Sequence, residues 1–108
     1  MGRKRIYQHY SVPGSVVSVV QAMIQDYPRR QRLIDGNESL SSEWARIHQI
    51  ITDTINSYEP MLSSIILSDI INCRGYYSSS ATIIASKSLY YSIKHKIIQE
   101  IATRCNLI

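Results

Sequence analysis

Pro60-Met-Leu-Ser-Ser-Ile-Ile-Leu-Ser-Asp-Ile-Ile-Asn72 runs into Arg74-Gly75-Tyr76-Tyr77, then Ser78-Ser79-Ser80, Ala81-Thr82-Ile83-Ile84, and a long stretch from Lys87 to about Cys105. The first segment spaces its isoleucines and leucines as an apolar helix does, and the serine-rich break ends in a short apolar turn. The last segment again has helical spacing and carries Lys87, Lys94, His95 and Lys96. Helix, short helix, tight turn and basic helix are the outline of a helix-turn-helix. The pattern predicts an all-α chain: a small helical bundle with a C-terminal helix-turn-helix and an N-terminal helix or arm.

Within the last segment, Leu89, Ile93, Ile97 and Ile101 repeat every four residues, with Cys105 and Ile108 extending the row. That row is the expected core side. Lys87, Ser88, Tyr91, Lys94 and His95 are expected to project from the other side near the helix start, where a recognition helix meets base edges and phosphates. Lys87, Lys94 and Lys96 offer counterion-releasing phosphate contacts. Tyr91, Ser88 and Ser92 can donate hydrogen bonds that position the helix. Ser86 is suited to be its N-cap, where Ala would cost about 1 kcal/mol. Arg74 and Tyr76-Tyr77, ahead of the short helix, either add backbone contacts or cover the edge of a small core. The serine run reads as helix-start chemistry rather than as a nucleophile.

Upstream, Ser41 or Ser42 caps a helix with Glu43 in its first turn. Trp44, Ile47, Ile51, Ile55 and Tyr58 form its apolar stripe, and Arg46, Gln49, Asp53 and Asn56 face away. His48 beside the stripe reads as packing or surface chemistry. Glu59-Pro60 ends this helix and begins the next, since proline in a first turn lacks only an N–H that has no partner there. Met61, Leu62, Ile65, Ile66, Ile70 and Ile71 give that next helix a wide apolar surface, so it should be central. Nearer the N-terminus, Ser15 reads as an N-cap for Val16-Val17-Ser-Val19-Val20-Gln-Ala22-Met23-Ile24. The β-branched run is compatible with a strand. Val16, Val20, Met23 or Ile24, and Tyr27 also share a helix face, and no second strand offers pairing, so helix is preferred, with Pro28 as its stop. Arg29-Arg30-Gln31-Arg32 caps that helix or starts another turn. Asp35-Gly36-Asn37-Glu38-Ser39 is a loop and the expected boundary between a basic arm with support helix (1–38) and the helix-turn-helix domain (39–108).

Charge is distributed unevenly over the 108 residues and their net +4. Residues 1–32 carry six Lys or Arg against Asp26, net +5; residues 33–73 are net −5; residues 74–108 are net +4. Basic ends around an acidic centre point to a polyanion touched by the ends. Arg3-Lys4-Arg5 in the first ten residues either reach a minor groove or improve solubility. Cys73 and Cys105 have neither Cys-x-x-Cys nor metal-clip spacing and are expected as two half-buried thiols in a reducing cytoplasm. No stretch reaches the roughly 18 apolar residues needed to cross a bilayer, and no signal peptide is recognised, so a soluble cytoplasmic protein of a bacterial host cell is expected. A Gly-rich phosphate loop is absent, the three histidines are scattered, and no ligand cluster is spaced for a metal or other cofactor; enzymatic activity is the weakest class. A chain this size buries only roughly 60–70% of its unfolded surface, so homo-oligomerisation is a sensible addition.

The frame from Ser41 to Ile108 resembles the four-helix region 4 of bacterial sigma factors, and more specifically the small phage late-transcription activators of the RinA/ArpU type. The residues carrying the likeness are Pro60-Met-Leu-x-x-Ile-Ile66, Arg74-Gly75, Ser80-x-x-Ile83-x-Ala85-Ser86, Tyr90-Tyr91-x-x-Lys94 and Ile98-x-x-Ile101-Ala102. Asp26-Tyr27-Pro28-Arg29-Arg30 is similar to a segment of such regulators. The chain departs from the pattern where the first motif helix usually has Ala: Ser80 stands there, or Ala81 if the register slips by one. The stretch after Gly75 is also short. The resemblance implies a phage or prophage regulator that binds double-stranded DNA near a promoter and activates late genes. Its last helix would lie in the major groove, leaving the acidic central helices for self-association or RNA polymerase. A small terminase subunit on packaging-site DNA and a protein-interaction factor that does not touch DNA are the alternatives.

Overall fold

The structure, a computed structural model, describes residues 12–108. Those residues form five α-helices: α1 (Gly14–Gln25), α2 (Tyr27–Asp35), α3 (Ser42–Asn56), α4 (Pro60–Ile71) and α5 (Lys87–Arg104). Two 3-10 turns, Tyr76–Ser78 and Ser80–Ile83, join α4 to α5. The fold is all-α, with no strand among the described residues, and no described helix is long and apolar enough to cross a membrane.

Local chemistry sets the helix boundaries. Ser41 Oγ accepts the Trp44 N–H to start α3, Glu59 carboxylate accepts the Leu62 N–H to start α4, and Ser86 Oγ accepts the Leu89 N–H to start α5. Each bond satisfies a helix-start amide that has no partner inside the helix. Two expectations at the N-terminal side are corrected. Pro13, not Ser15, occupies the N-cap of α1, its carbonyl accepting from Val16 and Val17. Pro28 does not stop a helix but lies in the first turn of α2, tolerated there for the same reason as Pro60 in α4.

α4 packs on α1, α3 and α5, and α1 and α3 both also touch α5. One cluster holds Val20, Met23 and Ile24 of α1, Ile47, Ile51 and Ile55 of α3, Leu62, Ile66 and Ile70 of α4, and Tyr90, Ile97, Ile98, Ile101 and Ala102 of α5. The wide apolar surface of α4 thus has neighbours on three sides, although Met61 at its start stays in solvent. Trp44 is corrected from the expected stripe: 41% exposed, it lies beside the Arg30 guanidinium, 5.3 Å from ring centroid to Cζ. The row expected to form the core side of α5 is also corrected, because Leu89 and Ile108 are exposed while Tyr90, Ile98 and Ala102 are buried. Cys105 is half-buried as expected, and burial pushes its thiol pKa up, but Cys73 is exposed.

Candidate nucleic-acid interface

The segment between α4 and α5 is built from hydroxyls and rings. Asn72 caps α4, and Cys73 follows in the left-handed conformation at φ 56°. Ser79, buried between the two 3-10 turns, accepts the Ala81 N–H at 2.9 Å. The reading of the serine run as helix-start chemistry describes this residue. Where the helix-turn-helix outline places a short helix, the chain makes these two 3-10 turns. Tyr76 is buried, donates its hydroxyl to the Ala85 carbonyl at 2.6 Å and meets the Tyr90 ring edge-on at 5.3 Å. This closes the turn onto the start of α5.

Tyr90 anchors α5 from inside. Its hydroxyl donates to Asp69 Oδ2 at 2.7 Å, and Asp69 Oδ1 accepts from Arg74 Nε at 3.1 Å. Burial first, then the hydrogen bond and charge of Asp69, raise the Tyr90 pKa, so the phenol stays a donor. Arg74, half-exposed, also donates to Ser68 Oγ at 3.2 Å. Two residues further on, the Tyr76 N–H donates to Tyr91 Oη at 3.4 Å, which ties this segment to the start of α5. Asp69 went unrecognised in the sequence. Its signal was a carboxylate three residues after Ile66 and seven after Leu62, on the same helix face, with an arginine five residues on.

From that anchor, one face of α5 brings together Lys87, Ser88, Tyr91, Ser92, His95 and Lys96, which with Gln99 border a common surface depression. Tyr91 and His95 are stacked at 6.1 Å. Tyr77, 77% exposed, carries the Lys87 ammonium 5.0 Å above its ring, so the 3-10 segment and the first turn of α5 form one continuous surface. Lys94 does not share the depression. Two residues on a helix are about 200° apart, which places Lys94 nearly opposite Lys96. Lys94 is half-buried, its ammonium 5.6 Å from the Tyr91 ring. Arg3, Lys4 and Arg5 lie outside the described residues.

Electrostatically, the arginines and lysines of this half behave differently. Arg74 pairs with Asp69, and Arg104 with Glu100 and Asp53. Among the described residues no carboxylate lies within ion-pair distance of Lys87, Lys94 or Lys96. The first turn of α5 contains no acidic residue, so helix dipole and lysine charge have the same sign there. An α-helix end of this kind attracts anions, and the serine hydroxyls beside it can donate to them. Among the described residues no group of three or more His, Cys, Asp or Glu is placed to hold a metal ion. Fold and face together define a small helical bundle with a cationic, hydroxyl-bearing helix on one side. No family model matches the chain, and no curated protein or solved structure matches it.

Proposed function

We propose that the protein is a sequence-specific double-stranded DNA-binding regulator that lays the first turns of α5 in the major groove. The observation that carries this reading is the lysine–serine face: Lys87 and Lys96 are exposed and unpaired by carboxylates among the described residues, with Ser88 and Ser92 between them. Phosphates are the partner for such cations, and hydroxyls and Tyr91 can fix the register of the helix against the duplex. Tyr77 and Arg74 flank the same end of α5 and supply backbone contacts. Arg3, Lys4 and Arg5 remain proposed minor-groove contacts. The resemblance to phage late-transcription activators makes late-gene activation in a bacterial host the proposed role, with RNA polymerase or a second copy as protein partner.

The experiment is a binding titration of the full chain against duplexes covering promoter-proximal and late-gene regions of a prophage, repeated over a range of salt concentrations. For each tenfold rise in salt, affinity should fall by roughly 0.9 logarithmic units per phosphate neutralised. Changing both Lys87 and Lys96 to Ala should shallow that slope by about two contacts. Binding without salt dependence, or unchanged in the double variant, removes the reading. A chain that binds no duplex but captures RNA polymerase favours the interaction-factor alternative.

A further inference from the structure

The exposed side of α5 contains one residue that phosphate chemistry does not account for. Leu89, expected in the core, is 47% exposed at the third position of the helix. On a helix of 3.6 residues per turn it projects within about 60° of Ser92 and about 20° of Lys96. It therefore stands beside Ser92 and Lys96, at the edge of the face away from Lys87 and Tyr91. Ile83, Ile84 and Met61 are exposed too, but they lie off α5. An isobutyl group gains nothing from a phosphate or from a base donor or acceptor. On the major-groove edges of a duplex the apolar group is the 5-methyl of thymine. We infer that Leu89 is a specificity-determining residue that packs on a thymine methyl, so the bound site contains a thymine opposite the first turn of α5. This rests on the DNA-binding reading and adds to it a named base feature. The lysine–serine surroundings carry the choice of occupant: a protein partner covering Leu89 would also cover Lys96 and Ser92, and would have to supply carboxylates to them.

The test uses the full chain and the strongest-bound duplex selected from a random-sequence library. Each thymine is replaced in turn by uracil, which removes the methyl and keeps the pairing and the O4 acceptor. At least one replacement should weaken wild-type binding about fourfold, the factor set by about 0.8 kcal/mol for one buried carbon group. Leu89→Ala should keep the helical signal of the wild type, since about half of the residue is in solvent and alanine is a good helix former. It should bind the thymine and uracil duplexes equally, at about the wild-type affinity for the uracil form. If the wild type binds with its lysine dependence but no uracil replacement matters, or Leu89→Ala still distinguishes the two, the thymine contact is overturned and the DNA-binding reading stands. If the library yields no bound duplex, both fall. If Leu89→Ala instead dissociates a dimer of the DNA-free chain and uracil has no effect, the occupant of Leu89 is a second copy and the inference is overturned.

Discussion

Among the described residues Arg30 is the largest fully buried side chain, and its surroundings explain how a guanidinium is held out of water. It donates to Asp26 Oδ2 at 3.0 Å, to the Met23 carbonyl at 2.7 Å and to His48 Nδ1 at 3.3 Å, with Trp44 and Tyr27 rings beside it. A buried cation is tolerated only when paired and hydrogen-bonded, as here. The contact with Arg30 fixes the histidine tautomer. Nδ1 must accept, so Nε2 carries the proton and donates to Gln31 Oε1 at 2.9 Å. Tyr27 stacks on the imidazole at 4.1 Å, and its hydroxyl is 2.6 Å from that of Thr52. Burial first, and the Arg30 charge second, hold His48 below the usual imidazole pKa. The unfolded chain therefore takes up a proton that the folded chain resists. Stability from this group is fully present above a pH of about 6.5 and is lost as pH falls from there to the depressed folded value. Asp26, lowered chiefly by its hydrogen bond to Arg29, contributes only in the more acidic carboxylate range. Unfolding free energies from urea titrations compared between pH 7.5 and 5.5 should fall for the wild type, by up to about 1.4 kcal/mol per pH unit, and fall less for His48→Gln. Parallel behaviour of the two proteins would show that His48 is not the group responsible.

Helix endings and helix contacts set the next scale. α2, α4 and α5 end alike, each with a left-handed residue just beyond the cap (Asn37, Cys73 and Asn106) and an amide reaching back five residues. These are Schellman endings, which favour glycine at that position. Asparagine accepts the conformation; cysteine at φ 56° has no such excuse, and its Sγ receives only a 3.5 Å contact from Gln25. Cys73→Gly should therefore stabilise the protein by about 0.5–1 kcal/mol, relief of left-handed strain exceeding the added freedom of the unfolded chain. A lower denaturation midpoint would contradict that sign. At the joint between α4 and α5, Tyr90→Phe removes one of the two hydrogen bonds to buried Asp69 and should cost about 1.5–3 kcal/mol. Arg74→Gln, at a half-exposed partner, should cost less than about 1 kcal/mol; equal losses would mean the joint is not organised by the phenol. The elements themselves were legible, because caps such as Ser41 and Ser86 and the stripe Ile47, Ile51, Ile55 follow local rules. The orientation of α5 was legible only in part. A four-residue repeat drifts about 40° per step, so the row from Leu89 to Ile101 rotates about 120° and cannot stay in one core. Tyr90, Ile97 and Ile101, at intervals of seven and four, stay within about 40° of one another and mark the true inward side. Arg30 and Asp69 were hidden for another reason: their partners lie on other helices or across a turn, and no periodicity records that.

At the scale of the whole molecule, α1 and the helices after the 36–41 loop share a single core, so the fold holds α5 from three sides and leaves its remaining side to solvent. Sequence alone grouped Lys87, Lys94 and Lys96 as one cationic cluster. The helix sets only Lys96 apart: Lys87 and Lys94, seven residues apart, project within about 20° of one another, whereas Lys96 projects about 160–180° from both. Lys87, Ser88, Tyr91, Ser92 and Lys96 border one depression with Lys87 and Lys96 at its two edges, and Lys94, about 20° from Lys87 around the helix, holds its ammonium 5.6 Å from the Tyr91 ring. Under the proposed function the three alanine variants must then differ. Lys96→Ala and Lys87→Ala should each lower affinity for any duplex, specific or not, and reduce the salt slope by about one. Lys94→Ala should reduce the slope by less than one, since its half-buried ammonium is already held against the Tyr91 ring. A uniform effect of all three would mean that DNA is gathered by net charge alone, without a docked orientation of α5. A dominant effect of Lys94 would centre the duplex on the edge of the face that holds Lys87, Tyr91 and Lys94, away from Ser92 and Lys96.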